Sequence, residues 1–376
     1  MKNIAKKMIL GIMLAALAAP TLATLFGWGS SFAINENRNR LTFPDRETLD
    51  DSGFMAVNEW YNDNFGLRDF LIRLQHQIDY SLFRYSKELF FTSDREQKYL
   101  FYRSVVTGEQ YYNEMMPQET QENILYNLRQ IKEQLEASGI TFKFIIAPQK
   151  NEVLSPSIQD IPVTRDEKNM YYVMQEKIME SDLADNYVNI IDELIRRNEQ
   201  IPTYYYSDFH WNDWGAACAF GEVIRSYAND LGVDTPYSVD ELESSIFTPD
   251  KNFAQLSSLS VLHYDIPAEH TVNMPEAPKC MSYGNDGRFQ GIWENPNGAV
   301  FEGGVLFVGD SYTPAALMSY NNTSSGIADL FEKTYFCHWN DAEGLLENIP
   351  SDVKLVVVES IESAYFRLDK LLETLY

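Results

Sequence analysis

Three short runs that are apolar at nearly every position, TFKFIIA (141–147), VLFVG (305–309) and LVVV (355–358), constrain the fold more than any other feature of the chain. A strand with one wet face alternates apolar and polar side chains. A run without that alternation belongs to a strand buried on both faces, as in a parallel sheet covered by helices on each side. The intervening sequence supplies such helices. Apolar residues recur at helical spacing over 118–138, which ends at Gly139, over 170–181 and over 214–231. YVNIID (187–192) and TYFCHW (334–339) read as further strands. Strands separated by helices predict a three-layer α/β domain over 119–376, with a mostly parallel sheet and 305–310 as a central strand. Residues 232–300 are rich in Pro, Ser, Asn and Gly and read as an irregular insertion of unassigned role.

The beginning of the chain has a different character. Lys2, Lys6 and Lys7 precede an uncharged run from Met8 to Ser31, long enough as a helix to cross a hydrocarbon layer of about 30 Å. Residues 1–33 are therefore expected to be an N-terminal membrane anchor helix with its basic end in the cytoplasm. A cleaved signal peptide is the alternative, since Ala16, Ala18, Ala19 and Ala23 offer small residues for a peptidase. Either way the body is exported, to the periplasm or the cell exterior. Residues 34–118 read as a helical extension and a hairpin packed on the body. An amphipathic helix covers about 54–85, with Phe65, Leu67, Phe70, Leu71, Leu74 and Ile78 as its inward stripe, and ELFFT and KYLFYR flank 93–97 as paired strands.

Composition removes several function classes. A formal net charge of −25 with no basic stripe argues against nucleic-acid binding, which needs cationic surface to displace counterions from phosphate. The five histidines form no HExxH or HxH pattern and the cysteines no CxxC pair, so no metal site is expected, and no cofactor. Cys218, Cys280 and Cys337 are an odd set, read as buried single thiols.

Catalytic residue types occur in two places. In YSDFHWNDWG (206–215), Asp208 and His210 are two apart, which puts both polar groups on one edge of an extended segment. In VLFVGDSYTP, a buried-strand pattern runs into Gly309, Asp310 and Ser311, where the chain must turn. In parallel sheets functional groups gather beyond the carboxyl ends of strands, and a serine there offers its own N–H as an oxyanion donor. Each motif alone also reads as an ordinary polar turn. Together they hold the three parts of an activated nucleophile: a hydroxyl, an imidazole base and a carboxylate to fix its tautomer.

ENRNRLTFP after the anchor, YNDNFGLRD (61–69), QKYLFYR (97–103), IIAPQK (145–150), YYYSDFHWNDWGAACAF (204–220) and FVGDSYTPAAL (307–317) occur in this order. In them the chain resembles the AlgX/AlgJ family of SGNH-hydrolase-like polysaccharide O-acetyltransferases. Only 65 residues follow Ser311, which leaves no room for a sizeable carbohydrate-binding module and makes the membrane-anchored AlgJ form the closer likeness. The resemblance implies Ser311 as nucleophile, His210 as general base and Asp208 as the acid that orients it. It implies an exopolysaccharide or envelope-glycan acceptor and a membrane-bound O-acyltransferase as the partner supplying acetyl groups. Lys150, in the family's P-x-K segment, and Tyr312, where relatives carry Phe, are expected to bind substrate, a solvent-exposed lysine being the other reading of Lys150. Phe209 stands where relatives have Thr or His, and Arg68 reads as structural. Gly284-Asn285-Asp286 resembles the asparagine block of SGNH hydrolases but precedes the serine and reads as coincidence. The same triad would serve a carbohydrate esterase with water as acceptor, and a non-catalytic envelope scaffold is the third reading.

Overall fold

The computed structural model describes residues 2–28, 34, 39–92, 98–103, 116–154, 169–234, 237–273, 281–282, 287–295, 298–317 and 325–376. Cys280 and the Gly284-Asn285-Asp286 segment lie outside them. The chain divides into two compact units, Met1–Leu89 with Lys251–Ile266, and Phe90–Asp250 with Pro267–Tyr376.

In the second unit, β1 (Leu89–Phe91) pairs with β2 (Leu100–Tyr102), the hairpin expected around 93–97. The other strands are β3 (Thr141–Ala147), β4 (Glu243–Phe247), β5 (Glu269–Asn273), β6 (Met281–Ser282), β7 (Gly291–Glu294), β8 (Phe301–Gly309), β9 (Phe331–His338) and β10 (Val353–Ile361). Six form the central sheet in the order β3-β10-β8-β9-β7-β6, parallel from β3 to β9, with β7 and β6 added antiparallel at one side. The apolar runs are its middle: β3, β8 and β10 are buried at nearly every position, so both faces are covered. Helix Asp213–Leu231 supplies part of that cover, with Phe220 set edge-on against Phe307 of β8. Helix Gln118–Ala137 supplies more, and Asn127 ties it to the chain's last helices through the carbonyls of Leu368 and Asp369. Val358 pairs with Phe144 on one side and Val308 on the other, so β3, β10 and β8 end at one sheet edge.

Two expectations change. YVNIID is not a full strand: Phe144 exchanges hydrogen bonds with Asn186 and Val188, and then helix Ile191–Asn198 begins. Asn189 Oδ1 accepts from Ile191 N–H, and Asp192 and Glu193 fill the first turn, so local helix-start chemistry wins after one bridge. Residues 232–300 are also structured: they supply β4 and β5, an antiparallel pair, β6 and β7 of the central sheet, and a helix, Ala254–Leu259, that belongs to the first unit.

The first unit holds α1 (Lys2–Phe26), α2 (Arg46–Ser52), α3 (Phe54–Asn64) and α4 (Arg68–Ile78), which runs on through a wide helical turn, Asp79–Phe83. Ile4–Phe26 of α1 is long and apolar enough to cross a membrane. Helix formation over 54–85 follows the periodicity, and Phe65, Leu67 and Phe70 of the expected inward stripe are half-buried, but the rest of the stripe is not. Leu71, Leu74 and Ile78, expected to face inward, are exposed, while Asp69 is buried in a pair with Arg40 (2.5 Å) and beside Arg68 (3.2 Å).

Candidate active site

The two candidate motifs meet at the carboxyl edge of the sheet. The loop 204–211 is closed at its base by an antiparallel bridge between Tyr204 and Trp211 and by Asn212 N–H donating to Thr203 O (3.0 Å). Within it His210 N–H donates to Asp208 Oδ1 (2.8 Å), and the same oxygen lies 2.5 Å from His210 Nδ1. His210 Nε2 lies 2.7 Å from Ser311 Oγ. The acid therefore engages one ring nitrogen and the hydroxyl the other. Asp208 is buried, His210 half-buried and Ser311 exposed, so the chain of groups runs from the interior to an accessible oxygen.

Ser311 sits one residue beyond the buried backbone of β8 and Asp310. Gly309 is required there because a Cβ would collide with Thr313 Oγ1 and approach the Glu359 carboxylate to 2.7 Å. Asp310 fixes the turn after it: one oxygen accepts from Tyr312 N–H (3.0 Å), the other from Ile361 N–H (3.2 Å) and from Arg367 (2.6 Å). Glu359 accepts from Asp310 N–H (3.0 Å) and Thr313 Oγ1 (2.9 Å), and burial together with the Asp310 charge pushes its carboxyl well above the usual range. Ser311 N–H takes no acceptor among the described residues.

Tyr312, expected to bind substrate, is 1% exposed and ties the two motifs together. Its hydroxyl donates to Phe209 O (2.9 Å), and its carbonyl accepts from Trp211 Nε1 (2.8 Å). With the His210–Ser311 contact, these bonds hold the histidine loop against the serine turn at three points.

Lys150, the other substrate-binding expectation, is 2% exposed and lies beneath the histidine loop. Its ammonium donates to the carbonyls of Asp208 (2.6 Å), Tyr205 (3.0 Å) and Tyr206 (3.4 Å), with the Tyr99 and Phe101 rings nearby. These are contacts of a group that holds the loop. Burial pushes the ammonium down to about 7, against the upward pull of the Asp208 and Glu269 carboxylates. Burial would also raise Asp208, but its bonds to His210 and the charges of His210 and Lys150 hold it below the usual value, so it is a carboxylate at neutral pH.

Glu269 at the start of β5 was not picked out in the sequence. It accepts from Tyr206 N–H (2.8 Å), Ser207 N–H (2.8 Å) and Ser207 Oγ (2.5 Å), so the loop is gripped by a lysine on its carbonyls and a carboxylate on its amides. β2 adds a third hold, Leu100 N–H to Tyr206 O (2.8 Å). Only spatial proximity links Glu269 to a loop some 60 residues earlier; no spacing signal marks it. Among the described residues no group of three or more His, Cys, Asp or Glu side chains is arranged to hold a metal ion, and Cys218 and Cys337 are buried free thiols.

The sheet, parallel from β3 to β9, and the helices that cover it make the second unit a mixed α/β domain. Residues 96–241 match the family model described as the SGNH hydrolase-like domain of acetyltransferase AlgX, and the likeness to the AlgX/AlgJ family holds on that stretch, which includes Lys150, Asp208 and His210. No curated protein matches the chain in sequence. Among solved structures, Bacillus cereus PatB1 with a sulfonyl adduct aligns over 73% of this chain and 97% of its own, at 14% identity and TM-score 0.52, a likeness of fold. The O-acetyltransferase domain of Pseudomonas putida AlgJ aligns over 75% of this chain and 92% of its own (14% identity, TM-score 0.45). Pseudomonas aeruginosa AlgX aligns over 75% and 65% (12% identity, TM-score 0.42).

Proposed function

We propose that the protein is an extracytoplasmic O-acetyltransferase that moves an acetyl group through Ser311 to hydroxyls of an exopolysaccharide or envelope glycan. The observation that carries this reading is the contact of His210 Nε2 with Ser311 Oγ at 2.7 Å while Nδ1 faces Asp208 at 2.5 Å. His210 takes the Ser311 proton as Oγ attacks the acetyl carbonyl carbon, and the oxyanion forms at Ser311 N–H. Collapse expels the donor's leaving group, which receives the proton from His210, and leaves acetyl-Ser311. A sugar hydroxyl then gives its proton to His210, attacks the acetyl carbon and releases Ser311, which recovers its proton. Asp208 stays ionised throughout and holds the tautomer. Lys150 and Tyr312 position the loop and turn rather than touch the sugar. The family likeness supports a membrane-bound O-acyltransferase as acetyl donor partner, and α1 supports retention on the membrane with the body outside the cytoplasm.

The test is acetylation of purified protein with an activated acetyl ester, followed by peptide mass mapping and addition of candidate glycans. An acetyl group on Ser311 that passes to glycan supports transfer. Acetate release unaffected by glycan identifies a carbohydrate esterase, and no adduct with full retention of fold identifies a scaffold.

A further inference from the structure

α4 is built with its polarity reversed. A helix on the surface of a water-soluble body turns its apolar stripe inward and its charges out. Here several of the residues turned toward the rest of the unit are polar, alongside the half-buried Phe70 and Ile72. Asp69 is buried on Arg40 and Arg68, Arg73 donates to Val261 O (3.3 Å), and Gln77 Oε1 accepts from His263 N–H (2.7 Å). The residues turned away are Ile78, Leu82 and Phe83, at 48%, 73% and 70% exposure, with Leu71 and Leu74 at 41% and 36% leading into them. Spacings of three and four place Leu71, Leu74, Ile78 and Leu82 on one stripe about 16 Å long. Apolar side chains so aligned need a cover other than water.

The same unit shows what that cover is. α1 is exposed along its apolar length, and only its last turns are packed. Ala23 is 0% exposed, Gly66 N–H donates to Thr24 Oγ1 (2.6 Å), and Thr21 Oγ1 meets the Tyr61 hydroxyl (3.1 Å). Gly66 is indispensable, because a Cβ there would collide with the backbone of Ala23 and Thr24. The apolar window Ile4–Phe26 ends two residues after Thr24, and Phe26 stacks on Trp28, an aromatic pair of the kind found where a helix leaves the hydrocarbon. Tyr61 and Gly66 therefore stand at the depth of the interface whenever α1 spans the bilayer. α4 begins two residues after Gly66, so its outward stripe starts at that depth.

We infer that the outward face of α4 and the turn after it, Leu71, Leu74, Ile78, Leu82 and Phe83, lies on the bilayer surface as an interfacial helix clamped to the exit of the anchor. The inference rests on the anchor reading under Proposed function. Such a helix sinks its apolar side about 5–10 Å into the headgroup and acyl boundary.

The test uses full-length protein in phosphatidylcholine vesicles, with nitroxide labels on Leu74→Cys, Leu82→Cys and Lys87→Cys in a Cys280→Ser background; Cys218 and Cys337 are buried. The labels at 74 and 82 are expected to collide with oxygen severalfold more, relative to a water-soluble nickel chelate, than the label at Lys87, which is exposed and charged. Adding Leu71→Glu and Ile78→Glu should drop the ratio at 82 to the Lys87 value while the thermal melt is unchanged. Equal ratios at 82 and 87 in unmodified-face protein would overturn the inference. So would spin–spin broadening that vanishes on dilution with unlabelled protein, which would assign the face to a second copy. Retention after carbonate washing and the mass of the N-terminal peptide are read in parallel. Loss of α1 or release from vesicles defeats the anchor reading itself, whereas a retained α1 with a water-facing label at 82 defeats this inference alone.

Discussion

Helix Asp213–Leu231 and α4 carry apolar residues at the same helical spacings and use them in opposite ways. In the first, Phe220, Val223, Ile224 and Tyr227 are buried, and Glu222 and Arg225 pair on the outside. In the second, the charge is inside and the leucines are outside. Periodicity states that one side of a helix avoids water; it does not state what replaces the water. The second unit brings its own cover, a sheet whose middle strands are apolar on both faces. The first unit is tied together by polar contacts, among them Asp63 accepting from Leu41 N–H (2.8 Å) and Gln77 from His263, which leaves its apolar stripe for something else.

If the two units divide the labour this way, substitutions in the second should change turnover or folding and those on the α4 face neither. The largest effect is expected at Ser311. Ser311→Ala removes the attacking oxygen from an exposed position and should abolish acetyl-enzyme formation with an unchanged circular dichroism melt. His210→Ala should lower kcat by roughly 10³-fold or more. Asp208→Asn, which leaves the imidazole without its anionic partner, should cost on the order of 10²–10⁴-fold. Wild-type turnover in Ser311→Ala would remove the chemistry from the second unit altogether.

Next in size is the core. Ile224→Ala, on a fully buried face, should destabilise by about 2–5 kcal/mol in urea unfolding, the range for a truncated core side chain. A loss under about 1 kcal/mol would mean that this helix is no better covered than α4.

Lys150 gives a smaller effect with a pH signature. Lys150→Met leaves three carbonyls without their donor and should lower kcat by about 10–100-fold, which is about 1.4–2.8 kcal/mol. The ammonium is held at about 7 in the fold by burial and returns to its ordinary value of 10.5 when the chain unfolds. Between those values the unfolded chain binds the extra proton, so wild-type stability should rise with pH across that window relative to Lys150→Met. Below 7 both states carry the charge and the burial penalty is fully present. Urea unfolding of both proteins at pH 6.5 and 9.5 reads the difference directly. No change in the gap would show that Asp208 and Glu269, the charged groups facing Lys150, keep it protonated throughout.

The unequal legibility of the two units follows from the same physics. Short apolar runs rich in Val, Ile and Phe fit strands with two dry faces, whereas the much longer run of α1 is a helix, so β3, β8 and β10 and the placing of Ser311 just beyond one of them were readable from residue types and run length. The Asp208–His210 spacing was readable too, because a loop needs only local geometry to bring a carboxylate under its own imidazole. Glu269 was not, since its three bonds to the loop depend on a strand from a segment whose composition looks like linker. For Lys150 the sequence shows that a lysine follows IIAPQ, and not that the carbonyls of Tyr205, Tyr206 and Asp208 lie within reach of its ammonium. The direction of the α4 stripe is not legible at all, because helical periodicity places apolar residues on one side without saying whether protein covers them.

The smallest effect is the sharpest test of the contrast. Leu74→Gln, on the outward stripe, should change the melt of detergent-solubilised protein by no more than about 1 kcal/mol and leave hydrolysis of a soluble acetyl ester at the wild-type rate, because Leu74 is 36% exposed and lies outside the hydrophobic core cluster. Ile224→Ala, which removes a fully buried side chain, is expected to cost several times more. The comparison therefore turns on one ratio, measured in one solvent by one method. If Leu74→Gln destabilised the soluble protein as much as Ile224→Ala, the leucine would be packed against protein after all, and α4 would be an ordinary surface helix seen from the wrong side.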